Sequence, residues 1–205
     1  MAQQKLLADR LIAGQGILWD AGRVAAGNLV LVLCAWLALP LPWTPVPITG
    51  QTFGVMLVAA VLGSRRGVVV LALYLLEGAA GLPVFQPFGA PGAARLLGPT
   101  AGYLLAYPVA AFVIGWLVER VESRPHAVGE TLRLGGGFLA GEVVIFAGGC
   151  AWLALVPVSI LGTHTAMGWS RAFAAGLLPF LPGELIKMAL AVVAVRSIER
   201  ANKED

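Results

Sequence analysis

The sequence predicts an all-α integral membrane protein with six transmembrane helices. Three observations carry that prediction. Of 205 residues, 59% are hydrophobic and only 12% are charged, where a soluble domain carries roughly a quarter charged residues. The apolar residues fall into runs separated by basic turns or by connectors dense in Pro and Gly. The basic residues collect on one side of the alternating spans, as the positive-inside rule requires. The net charge of +3 does not point to nucleic acid, because the basic residues are scattered singly and in pairs with no aromatic-interleaved patch. Cys34 and Cys150 lie in apolar runs without metal-ligand spacing and read as small packing residues. The stretch Met1–Arg10 is not a secretory signal, since Asp9 and Arg10 interrupt its apolar run.

Residues 1–20 form an interfacial N-terminal segment, with Leu6, Leu7, Leu11 and Ile12 at helical spacing for a short amphipathic helix. The membrane domain spans 21–198, and 199–205 is a polar cytoplasmic tail. The first helix covers about Ala21–Leu39. Its small residues Ala21, Gly22, Ala25 and Ala26 allow close approach of another helix, from a partner or from the same bundle. Pro40–Gly50 contains four prolines and is a stiff, extended loop. Gln51–Gly63 re-enters the membrane but is short for a full span of about 20 residues. Ser64–Gly67 is a basic turn, and Val68 to about Glu77 is the third, also short, helix. Gly78–Pro99 is a long apolar loop dense in Gly and Pro, the kind that usually binds or covers a ligand. The fourth helix covers about Thr100–Val118, and a polar connector runs to Arg133. The fifth, Leu134–Pro157, is rich in Gly; Glu142 inside it reads as a helix-interface or cytoplasmic-partner residue. A connector through His164 and Arg171 leads to the sixth helix, Pro182–Arg196.

With both termini cytoplasmic, 11 of the 14 Lys and Arg residues fall inside, two (Arg95 and Arg171) outside, and Lys187 in the membrane. The sixth helix is about 22 Å long, so its N-terminus lies below the outer surface of a core of about 30 Å. Glu184 and Lys187, three residues apart, share one helix face there. Ionisable groups at that depth usually mark a substrate or ion path. Gln51, Tyr74, Glu77 and Arg95 reach the same external side and are expected to converge with them on one pocket.

Five segments in order then resemble one family: Pro45–Gly54, Leu62–Gly67, Tyr74–Phe85, Arg95–Leu104 and Phe180–Lys187. They resemble the BioY family, the biotin-binding S components of energy-coupling-factor (ECF) transporters, over roughly residues 20–198. The resemblance implies the ECF S-component fold and high-affinity capture of biotin from outside. It implies as partners a transmembrane T component and a pair of cytoplasmic ATPases, with Ala21, Gly22, Ala25 and Ala26 matching the T-component contacts. It implies no cofactor and no catalysis. Glu184 stands where the family usually has Asp, which keeps the charge and lengthens its reach by one methylene.

Biotin's two ureido N–H groups suit the Glu184 carboxylate, and its ureido carbonyl suits Lys187. The valerate carboxylate suits Arg95. Trp43, Phe53, Tyr74 and Phe85 are the aromatics available to cover the thiophane ring. An intramembrane enzyme is disfavoured by two isolated histidines and no paired carboxylate motif. The chain has no Gly-x-x-x-x-Gly-Lys-Ser/Thr motif, so ATP hydrolysis falls to partner subunits. An S component for another vitamin, a solitary carrier and a homo-oligomer all stay open on sequence alone.

Overall fold

The structure, a computed structural model, describes residues 16–120, 127–160 and 163–204. Six helices make up almost all of it: α1 (Ile17–Trp36), α2 (Gln51–Ala79), α3 (Ala101–Arg120), α4 (Ala127–Leu155), α5 (Trp169–Gly176) and α6 (Leu181–Glu204). Four of them, α1 to α4, are long and apolar enough to cross a membrane. The pair α5 and α6, bent by 51° at a short break, makes a fifth when counted as one span. Large apolar side chains such as Leu29, Leu33, Val109, Leu139, Val143 and Leu190 are exposed around the outside. That surface suits lipid, and the molecule is a multi-pass membrane protein.

The element Gln51–Ala79 is helical in name throughout but is not one rod. Gln51 Nε2 donates to the Tyr74 hydroxyl at 2.6 Å, although a straight helix would separate these residues by roughly 34 Å. The chain reverses at Gly63, whose φ of 81° and ψ of 177° are non-helical and suit glycine alone. Two antiparallel arms result, 51–62 and 64–79. The expected basic turn at Ser64–Gly67 is therefore helix, and the reversal is compressed into the residue before it. The second arm begins with its N-terminus held by Glu119 of α3. The Ser64 amide donates to Glu119 Oε1 at 2.6 Å, and the Ser64 hydroxyl to Oε2 at 2.9 Å. A carboxylate there answers unpaired amides and the positive end of the helix dipole. Gly115 makes the contact feasible, because a Cβ on it would lie 2.3 Å from the Ser64 amide nitrogen.

Other boundaries also moved. The first helix starts at Ile17 and stops at Trp36, so 17–20 belongs to it; residues 1–15 lie outside the described part. Ala38–Leu39 leave the helix to pair antiparallel with Ile48–Thr49, closing the proline-rich loop at its neck. The long Gly/Pro loop carries a 3-10 helix, Gly92–Leu97. The fifth predicted helix begins seven residues early, at Ala127, and the sixth runs on through the supposed tail to Glu204. These polar extensions fasten to one another. Arg133 Nη2 donates to Glu199 Oε1 at 2.8 Å and Arg133 Nη1 to the Val118 carbonyl at 2.9 Å. The connector before the last helix hides a short antiparallel ladder (Val158–Ile160 with Thr163–Thr165) and the short α5.

Candidate ligand pocket

The α2 hairpin, α3, α4 and the start of α6 surround a pocket under the two long loops. It is lined by Thr49, Gln51 and Thr52 at the head of α2, Tyr103, Leu104 and Tyr107 of α3, and Ile145 and Phe146 of α4. Phe180 and Glu184 close it from the α5–α6 break, and Val46, Phe85, Gln86 and Arg95 roof it from the loops. The space open to water is about 40 Å³, room for about three waters.

Glu184 lies in the first turn of α6, where the helix dipole favours an anion. It is buried, and two groups hold it. Lys187 Nζ donates to Glu184 Oε1 at 2.7 Å, one turn along the same helix. The Thr52 hydroxyl donates to Glu184 Oε2 at 2.6 Å, from the other side of the fold. Lys187 Nζ also donates to Thr52 Oγ1 at 3.2 Å, which closes a three-membered cluster. Glu184 faces the pocket while Lys187 stands beside it, off the lining. The pair predicted from the sequence is thus formed, and Thr52 was missed as its third member. Thr52 lies within the Pro45–Gly54 segment, but no local signal assigns it across 132 residues of chain.

Gln51 and Tyr74 form the second polar group. The Gln51 amide NH₂ donates to Tyr74, while its carbonyl oxygen accepts from the Thr49 hydroxyl at 3.1 Å and from Tyr107 at 3.5 Å. Gln51 lines the pocket. Tyr74 is fully buried behind it, edge-on to Phe85 with ring centroids 5.2 Å apart.

Arg95 is buried rather than free in the loop. Its Nε donates to the Ala90 carbonyl at 2.9 Å, its Nη2 to Gln86 O at 3.1 Å, and its Nη1 to Phe88 O. Burial lowers its pKa, and the nearby Tyr74 opposes that shift. The guanidinium lines the pocket roof and organises the loop around itself. Three of its five N–H groups are engaged by these carbonyls.

Glu77 does not join the pocket. It accepts from Asn28 Nδ2 at 2.6 Å and ties the second arm of α2 to α1. Of the aromatic candidates, Phe85 lines the pocket, Trp43 is exposed, and Phe53 packs against the core. Tyr103, Tyr107, Phe146 and Phe180 line it instead. The first three come from helices whose inward faces only packing defines, and Phe180 from the turn between α5 and α6. Ala21, Gly22, Ala25 and Ala26 are all exposed on α1, and nothing lies within 4 Å of where a Gly22 Cβ would be. Packing among the described residues does not use this face.

A buried, polar-tipped and aromatic-walled pocket among lipid-compatible helices defines a multi-pass membrane protein built around a small-molecule site. The chain belongs to the BioY family, whose model matches residues 8–204. It is 37% identical to the biotin transporter BioY of Thermotoga maritima over 85% of this chain and 92% of that one. It is 37% identical to that of Rhizobium etli over 78% and 81%, and 38% identical to that of Rhodobacter capsulatus over 78% and 82%. Its fold is similar to a crystal structure of the S-component for biotin from an ECF-type ABC transporter. The TM-score is 0.74 at 25% identity, covering 91% of this chain and 95% of that one.

Proposed function

We propose that this protein is the biotin-binding S component of an ECF-type uptake system in the cell membrane. The observation that carries the reading is the Glu184–Lys187–Thr52 cluster at the edge of a buried pocket, in a chain of this family. Glu184 receives the two ureido N–H groups, and Lys187 swings from Glu184 to donate to the ureido carbonyl. Both are charge-assisted bonds in a site largely closed to water. Phe85, Tyr103 and Phe146 cover the thiophane ring. The two N–H groups that Arg95 has left meet the valerate carboxylate. The present volume is too small for a bicyclic ligand, so the 83–99 loop moves outward for entry and Arg95 carries it back.

The two α2 arms count as separate spans in this reading, which gives six with α1, α3, α4 and the α5–α6 pair. Both termini are cytoplasmic, and the pocket opens outward. The chain holds no cofactor and catalyses nothing; ATP hydrolysis belongs to partner subunits. The open small-residue face at Ala21, Gly22, Ala25 and Ala26 is the docking strip for the T component.

Titration of the purified protein with biotin, using riboflavin and thiamine as controls, tests the assignment. Saturable binding of biotin alone is the expected result. A folded, monodisperse protein that binds none of them, or binds another vitamin better, overturns it.

A further inference from the structure

Glu142 is a buried carboxylate that the pocket does not use. It sits midway along α4, 5% exposed, and neither carboxylate oxygen has a hydrogen-bond partner among the described residues. Ile145 and Phe146, three and four residues further along α4, line the pocket together with Tyr107 of α3 and Glu184 of α6, so Glu142 lies one turn away on the same helix face. Glu184, Lys187 and Tyr107 are the titratable groups within its electrostatic reach. From α2 the polar groups that reach Glu184 and Tyr107 are Thr52 and Gln51, which do not titrate. The charged residue of α5, Arg171, is exposed. Farther along the α4–α6 seam, Arg133 and Glu199 pair with each other.

The charges in this cluster do not balance if both carboxylates are ionised. Lys187 supplies one positive charge against Glu184 and Glu142. Lys187 is already committed to Glu184 and Thr52. An ionised Glu142 would then be an unpaired anion at the centre of the bundle, the arrangement that buried groups escape by neutralising. We propose that Glu142 is a proton-binding site linked to the pocket. It holds a proton while Lys187 serves Glu184 and the ligand, and its ionisation competes for Lys187 and releases the ligand. Only the O–H bond of Glu142 forms or breaks, and the proton exchanges with water. The ligand half of this inference rests on the biotin reading; the proton half does not.

Biotin titrations from about pH 6 to about pH 9 test the linkage, a range above the ordinary titration of the ligand's own carboxyl group. Wild type is expected to lose affinity by about tenfold or more as pH rises, one unit of linked pKa difference being a factor of ten. Glu142→Gln, a neutral mimic of the protonated acid, is expected to keep the low-pH affinity throughout. Identical pH profiles for the two proteins, or a flat wild-type profile, overturn the linkage. Infrared spectra of the ligand-free protein give the second readout. A carboxylic acid C=O band present at neutral pH, lost in Glu142→Gln and shifted in Glu142→Asp, supports the proton site. Its absence from wild type overturns the site whatever biotin does. If biotin fails to bind at any pH while the band is present, the ligand assignment fails and the proton site stands.

Discussion

Lys187→Met removes one cation and leaves the rest of the cluster in place. Glu184 is 6% exposed, and without Lys187 its remaining side-chain donor is Thr52, at 2.6 Å. Breaking a buried ion pair by deleting one partner costs about 3–5 kcal/mol. The Lys187 side chain keeps 15% exposure, which places the expected loss near the lower end, about 3 kcal/mol. For binding, the deleted bond is one to a charged donor, worth about 1.5–3 kcal/mol, so biotin should bind roughly 10- to 150-fold more weakly. The double variant Glu184→Gln/Lys187→Met separates the two effects. It replaces an ion pair by neutral groups of similar size and should recover stability to within about 1 kcal/mol of wild type. Its affinity should stay low, because both charged partners of the ureido group are gone. Thermal unfolding in detergent and biotin titration of all three proteins measure this. Wild-type affinity in a folded double variant would reduce the pair to a structural ion pair and refute the proposed site.

Three further perturbations test other parts of the reading. Ala25→Leu should leave the unfolding midpoint and biotin affinity unchanged and lower uptake in cells carrying the whole transporter. Lost binding at normal expression would instead place that face inside the subunit. Gly63→Ala forces a Cβ onto a φ of 81° and should cost about 1–3 kcal/mol, seen as a lower unfolding midpoint; an unchanged midpoint would deny the hairpin turn. Glu77→Gln keeps a bond to Asn28 and should not change biotin affinity, whereas a tenfold loss would return Glu77 to the pocket.

A residue's role is most legible in the sequence where its type has few uses in a membrane. Glu184 and Lys187 stand out because an acid and a base inside an apolar run are expensive, and their three-residue spacing puts them on one helix face without help from the rest of the fold. Arg95 stood out as a strong charge in an apolar loop, but its role in the loop did not. Three carbonyls between Gln86 and Ala90 use it as an anchor, and that depends on how the loop folds back. Glu77 looked equivalent to Tyr74 three residues earlier, yet the helical rotation between them sends one toward Gln51 and the other toward Asn28. The reversal at Gly63 was visible as a short span on each side and misplaced by only a few residues. Helix α5 went unread because eight residues between two turns carry too little periodicity.

The sequence by itself determined what the chain must satisfy. Its apolar content demands a bilayer, its prolines exclude helix from 40–50, and its charged pair at 184 and 187 requires a protected site. Those are local and compositional costs, payable only in a few ways. The tertiary structure decided which groups meet. Thr52 reaches Glu184 across 132 residues, Glu119 caps Ser64 across 55, and Glu142 comes to share the field of Lys187 from a different helix. Contacts of that kind depend on how helices cross and rotate. Lipid-facing and core-facing residues are equally apolar, so hydrophobic patterning cannot show a membrane helix's inward face, and only the packed bundle does.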